Sequence, residues 1–170
     1  MIEGVPYDVP VIGWGGSSVN MLRLWSSRAA QGFRLEVFNS GDYVRAVEEK
    51  NWAETITKVL YPSDNTHAGR ELRLLQEYFL VACSIRDITR NFSLTNRDWR
   101  RLPSAAAVQM NDTHPSLAVA ELMRCLVDEE DVPWEAAWDI VTRTLAYTNH
   151  TLLPEALEKW PVNLLSLIHI

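Results

Sequence analysis

The chain has 170 residues, 47% of them hydrophobic and 22% charged, with a mean hydropathy of -0.12. That length suits one domain with its own core and is too short for a two-domain enzyme, while the mixed composition excludes disorder and collagen-like structure. Sixteen Lys and Arg against twenty-two Asp and Glu leave a net charge of -6 with no basic stripe to follow a phosphate backbone, so nucleic acid is not an expected partner. Cys83 and Cys125 stand singly in apolar segments without CxxC spacing and read as reduced core residues. The opening MIEGVPYDVP lacks the basic flank and apolar run of a signal peptide, and no stretch reaches the ~18 apolar residues that could span a bilayer. A cytoplasmic, unanchored protein is expected.

In chain order, the first forty residues hold Pro6, Pro10, Gly13, Gly15, Gly16, Gly32 and Gly41 between short apolar stretches, which predicts strands and loops. Ser18–Ser26 alternates with period two and reads as a strand, placing Arg23 between apolar neighbours. From Ser40 the period changes: Tyr43, Val44, Val47, Trp52, Ile56, Val59 and Leu60 recur at three- and four-residue steps, as in a pair of amphipathic helices ending at Tyr61-Pro62. A loop, Ser63 to Gly69, precedes a long helix to about Phe92, with Leu74, Tyr78, Val81, Ile85 and Ile88 on one stripe and Leu72, Leu75, Phe79 and Ala82 on the next. So broad an apolar face implies burial between two layers.

Asn91 to Pro103 is polar and basic and reads as a surface loop, and Ala105 to Met110 as a short buried strand. A helix is predicted from Pro115 through Leu126 to the acidic run Asp128 to Asp131, with Asp112 or Thr113 as its cap. Another begins at Pro133 with Trp134, Ala137, Trp138 and Val141 on one face. Leu145 to Thr151 breaks the helical pattern, and Pro154 opens a last helical stretch through Trp160. The order of elements indicates an α/β domain.

Three polar clusters interrupt this apolar framework: Ser63-Asp64-Asn65-Thr66-His67, Asn111-Asp112-Thr113-His114 and Tyr147-Thr148-Asn149-His150. Each falls at the end of a predicted element. Ligands of α/β sheets collect outside the carboxyl ends of strands, and amides, carboxylates and imidazoles there suit a polyhydroxylated ligand such as a sugar. Capping explains Asp64, Asn65, Thr66, Asp112 and Thr113 at least as well from spacing alone. His114 and His150 are also readable as structural histidines, and His67 as an exposed one. The four histidines show no HxxxH or HExxH spacing, so no metal site is expected, and no GxSxG elbow supports a nucleophilic triad. Gly13-Trp14-Gly15-Gly16 lacks the frame of a phosphate loop.

At these motifs the sequence resembles the glycogen, starch and maltodextrin (α-1,4-glucan) phosphorylases. The strings are PYDVPV (Pro6 to Val11), MLRLWS (Met21 to Ser26), VLYPSDN and ELRLLQEYF (between Val59 and Phe79), QMNDTHPSLAVAELMR (Gln109 to Arg124) and AYTNHTLLPEALEKWPV (Ala146 to Val162). The resemblance implies that residues 1–165 are part of the N-terminal Rossmann-like domain of a two-domain, GT-B type glycosyltransferase, with residues 166–170 a tail that does not match. It implies phosphorolysis of terminal α-1,4-glucosyl units to glucose 1-phosphate, with α-1,4-glucan and inorganic phosphate as substrates. Asp64 and Asn65 would stand on a loop beside the glucosyl site, Asn65 hydrogen-bonding the sugar. His150 would hold the 6-hydroxyl and support catalysis without transferring a proton, while Asn111, Asp112 and His114 would line the adjoining pocket. Pyridoxal 5'-phosphate would be the cofactor of the complete enzyme, on a lysine in a C-terminal domain absent from this chain, and the complete enzyme would be a homodimer. The single arginine of Thr89-Arg90-Asn91-Phe92 departs from the paired arginines of nucleotide-activated members, so AMP control is not implied. A non-catalytic carbohydrate-binding module built on the same loops is the alternative, and a helical interaction protein in which the clusters are only caps is a third reading.

Overall fold

The computed structural model describes residues 2–30, 33–153 and 156–166, and the chain divides into two units, Met1–Leu72 and Arg73–Ile170. In the first unit β1 (Ile2–Ile12) and β2 (Val19–Ala29) form an antiparallel hairpin in which Ile2 stands opposite Ala29 and Ile12 opposite Val19. The turn between them contains a 3-10 segment, Trp14–Gly16, with Gly15 at φ 76° and Gly16 at φ 73°. Two consecutive left-handed residues are what glycine supplies without a Cβ clash. Pro6 and Pro10 share one parity of β1, so their missing N–H groups fall on the open edge of this two-stranded sheet.

Most of the hairpin is solvent-exposed on both faces. Arg23 does not insert among apolar side chains as the alternation suggests. It grips Asp8 directly across the strands at 2.7 Å, with its guanidinium 5.8 Å from the Trp25 ring centre. That donation holds the Asp8 carboxyl below the usual carboxylate range. The covered end of the hairpin is the end of β2, where the Ser27 N–H donates to Thr57 Oγ1 at 3.0 Å.

The helix pair expected from Ser40 is displaced. A short α1 (Leu35–Asn39) comes first, then α2 (Arg45–Thr55), whose Ala46 and Ala53 are buried with Ile56 just beyond it. Gly41, at φ 92°, turns the chain between them. The next helix, α3 (His67–Ser93), has the length its periodicity demands. The Gly69 N–H donates to Thr66 Oγ1 at 3.0 Å, so Thr66 caps α3 as the capping reading proposes.

In the second unit α3 buries Leu74, Val81, Ile85 and Phe92. The expected loop between Asn91 and Pro103 is partly helical: α3 runs to Ser93, and a 3-10 turn, Trp99–Arg101, leads into α4 (Leu102–Ala105). The predicted strand from Ala105 is shorter and later, β3 (Val108–Asn111). The predicted helix from Pro115 starts as turns and becomes α5 (Ala118–Arg124), continued by a π turn, Cys125–Glu129. Then α6 (Trp134–Thr144) runs directly into β4 (Leu145–Thr148), a strand where only a break in helical pattern was expected. β4 lies parallel to β3, in register Val108 to Leu145 through Asn111 to Thr148. Of the helical stretch expected from Pro154 to Trp160, residues 154–155 lie outside the described residues, Ala156 is 3-10 with its N–H donating to the Leu153 carbonyl at 3.0 Å, and 157–160 are not helical; α7 (Val162–Leu165) follows. Residues 167–170 of the expected tail also lie outside the described residues.

Leu122, Leu126, Ile140 and Val141 meet Val81 and Ile85 in a core that includes Cys125. Cys125 is buried and Cys83 half-buried, and burial pushes both thiols up to about 11, which leaves them protonated and unreactive. The buried Glu121 carboxylate is held by both Arg124 nitrogens at 2.8 and 2.9 Å and by the Tyr78 hydroxyl at 3.3 Å. A charge buried there is tolerated because it is paired and hydrogen-bonded.

Leu126 is fully buried, and Leu126→Ala should lower stability by about 2–5 kcal/mol through lost transfer energy plus a cavity; a change within error in denaturant titration would remove it from the core. Gly69 provides a sharper test. A Cβ there would sit 2.0 Å from the Ser63 carbonyl oxygen and 3.1 Å from Thr66 Oγ1. Helix propensity alone favours Ala over Gly by about 1 kcal/mol, but an overlap this deep must displace the Ser63–Thr66 backbone, at about 1–3 kcal/mol. Gly69→Ala should therefore lower the melting temperature, and a rise would show that the loop does not lie on the helix.

Candidate functional site

The parallel pair β3–β4 ends with Asn111 opposite Thr148, and the residues just past those ends are Asp112 on one strand and Asn149-His150 on the other. The Asp112 N–H donates to the Thr148 carbonyl at 2.8 Å, which extends the ladder by one bond. Asp112 then turns into the left-handed region, at φ 60°, a conformation in which Asp is enriched among non-glycine residues. The turn brings its carboxylate under the second strand end. Oδ1 accepts the His150 backbone N–H at 2.9 Å and lies 3.2 Å from His150 Nδ1. These bonds hold the Asp112 carboxyl below its ordinary range, the backbone donation contributing most. The His150 side chain is about half exposed.

The tautomer that satisfies Asp112 places the proton on Nδ1 and leaves Nε2 as an acceptor. Gln109 Nε2 donates to Thr148 Oγ1 at 2.8 Å and the Asn149 amide to the Thr151 carbonyl at 2.8 Å, so both strand ends are further fixed. Asn111 lies exposed at the end of β3.

Neither Asp112 nor Thr113 caps α5, whose N-terminal flank, Leu117, makes no side-chain cap. The Thr113 hydroxyl lies 3.0 Å from the Ala156 carbonyl and 3.2 Å from Glu158 Oε2, donating its one proton to either, and accepts the Glu158 N–H at 3.3 Å. Next to it His114 Nδ1 is 3.3 Å from Glu158 Oε2 and 3.8 Å from Glu77 Oε1. Arg73 donates to Glu158 Oε1 through Nη2 at 2.7 Å and Nε at 3.1 Å, and its Nε is 3.5 Å from Glu77 Oε1. The structure thus brings Asp112 and His150 together, and gathers His114 with Arg73, Glu77 and Glu158. Asp64 and Asn65 are exposed and belong to the loop before α3 in the first unit. His67 is exposed and pairs with Glu71 one turn on, at 3.3 Å.

A family model for carbohydrate phosphorylases matches residues 1–169. The chain belongs to the carbohydrate phosphorylase family. Similar curated relatives include the liver form of glycogen phosphorylase from Bos taurus, 51% identical over 96% of this chain, and the muscle form from Homo sapiens, 53% identical over 97% of it. The brain form from Homo sapiens is 51% identical over 96%. The chain spans about a fifth of the length of those relatives, 20% of each.

Two members of the buried cluster, Glu77 and Glu158, did not stand out in the sequence. Glu77 looks like half of an exposed i,i+4 pair with Arg73, yet it lies three residues after Leu74 and four before Val81, on the stripe that turns inward. A carboxylate on a core stripe was the available signal. Burial, then the neighbouring Glu158, push the Glu77 carboxyl up from 4.5 to about 8 against the opposing pull of Arg73. The sign of the linkage follows. Below about 4.5 Glu77 is protonated folded or unfolded, and between about 4.5 and about 8 folding takes up a proton, so this group lowers stability as pH rises. Glu77→Gln, which keeps the shape without the charge, should lose that downward slope in denaturant midpoints measured across the window. An unchanged slope would place the titration elsewhere.

Proposed function

We propose that this chain is part of an α-1,4-glucan phosphorylase, a glycosyltransferase that cleaves terminal glucosyl units with inorganic phosphate to give glucose 1-phosphate, and that it supplies one wall of the glucose site. The observation that carries this reading is the Asp112–His150 clamp at the carboxyl ends of two parallel strands, where an α/β sheet takes its ligand. Family membership supports it, and the relatives are named glycogen phosphorylases. In this reading the segment belongs to the N-terminal half of a GT-B type enzyme of the cytoplasm that works as a homodimer, with its C-terminal domain outside this chain. Among the described residues no helix is long and apolar enough to cross a membrane.

Chemically, a departing glucan leaves an oxocarbenium-like centre that fixed dipoles stabilise without proton transfer. Asp112 orients His150 through backbone and ring at once, so Nε2 is presented to a sugar hydroxyl with little freedom to lose on binding. Asn65 offers an amide from the loop before α3, and Asn111 and Asp112 border the same strand ends as His150. His114 is tied to Glu158 and stands as a wall residue.

Pyridoxal 5'-phosphate, which the family generally uses, finds no fit among this chain's lysines. Lys50, Lys58 and Lys159 are all solvent-exposed, whereas a Schiff-base lysine is activated by a desolvating pocket. In this reading the cofactor lysine of the complete enzyme belongs to another part of it. In the complete enzyme, His150→Ala and Asn65→Ala should each reduce kcat by about 10²–10³-fold, the loss associated with one donor or acceptor aimed at a charged transition state. Activity intact in both would overturn the role of this wall, and glucan binding without turnover would favour a carbohydrate-binding module.

A further inference from the structure

Outside the Asp112–His150 pair, one cluster collects donor atoms of the kind that ligate metals. Glu77, His114 and Glu158 each offer one such atom, all within 4.8 Å of one another. From these donors we infer that they form a binding site for a first-row divalent cation, Zn²⁺ by preference.

Two of the three donor separations are close to what the ion needs. With ligand bonds of about 2.0–2.1 Å, a tetrahedral Zn²⁺ holds its donors roughly 3.4 Å apart. His114 Nδ1 already stands 3.3 Å from Glu158 Oε2 and 3.8 Å from Glu77 Oε1. Two carboxylate oxygens and one imidazole nitrogen are a set that Zn²⁺ accepts, with its fourth position left for water.

A second observation points the same way. The Glu77 side chain is 5% exposed and its Oε1 lacks a hydrogen bond of good geometry, the Arg73 Nε standing 3.5 Å away, while Glu77 and Glu158 face each other through a retained proton whose place a cation would take. A buried carboxylate oxygen left in that state costs free energy that a ligand would recover. Arg73 need not leave. It binds Glu158 through Oε1, while the oxygen facing His114 is Oε2. Two carboxylates against one guanidinium leave the cluster net negative when ionised, which attracts a cation. Thr113 fixes Glu158 by accepting its backbone N–H, and its hydroxyl lies 3.2 Å from the same Oε2 that faces His114, the kind of outer support that metal-binding carboxylates have. The donors come from positions 77, 114 and 158, so no local spacing motif announces them.

The test uses Zn²⁺ alone as the probe. Titrated into the protein against a chromogenic chelator, it should occupy one tight site per chain. That affinity should fall by more than about 100-fold in Glu77→Gln and in His114→Gln, beyond what loss of an outer-shell partner costs. His67→Gln, which removes an exposed ring, should leave it unchanged. Because Glu77→Gln also alters a buried position, the unmutated protein loaded with Co²⁺ gives an independent reading: tetrahedral d–d bands without thiolate charge-transfer absorption. Three results would overturn the assignment: no Zn²⁺ site, full affinity in Glu77→Gln, or a thiolate band implicating Cys83 or Cys125.

Discussion

The parallel pairing of β3 with β4 is the constraint on which the candidate site depends. Sets of strand residues alternate sides with period two, so a slip of one residue would carry Asp112 past the Thr148 carbonyl and aim its carboxylate away from His150. What holds the register is the packing behind it. Val108 and Leu145 lie against the core formed by Leu122, Leu126, Ile140 and Val141, and α6 passes into β4 without an intervening loop, so the position of the helix sets the position of the strand. A polar site at the surface is thereby located by apolar contacts beneath it.

The buried charges are the other half of the arrangement. Glu77, Arg73 and Glu158 are taken from α3 and from the segment before α7, which are far apart in sequence, and they are joined through bonds that are charge-assisted and mostly out of water. Such groups contribute little net stability when fully paired and cost several kcal/mol when a partner is lost. Their effect is to tie the chain after His150 to α3: Glu158 is held by Arg73 on one side and by Thr113 on the other. Thr113 adjoins Asp112, so the residue that orients His150 and the residue that fastens the following segment are neighbours on one turn.

Much of the fold is legible in the sequence, and what the sequence hides has physical causes. Periodicity found α3 and α6 because long helices with one wet face repeat their pattern over many turns. It found the alternation of β2 but misjudged Arg23, since a cross-strand partner, Asp8, satisfies the charge and only pairing reveals which residue stands opposite. β4 was missed because its four residues are too few to show a period. The three polar clusters were located, but spacing could not divide caps from clamps. Thr66 is a cap, through the Gly69 N–H. Asp112 and Thr113 are not, because α5 begins later than Pro115 suggests and their side chains are drawn to His150, Ala156 and Glu158 instead.

That last distinction is one of range along the chain. A cap is a local event, decided within three or four residues, so sequence spacing can propose it. The Asp112–His150 bond spans 38 residues and the Arg73–Glu158 bond 85, and neither leaves a mark in its own neighbourhood. Long-range polar pairs become visible when the fold brings them into contact. Glu77 shows the limit from the other side: its neighbours Leu74 and Val81 place it on a buried stripe, so a charge was due to be compensated there, but only the folded chain identifies Arg73, His114 and Glu158 as the groups that face it.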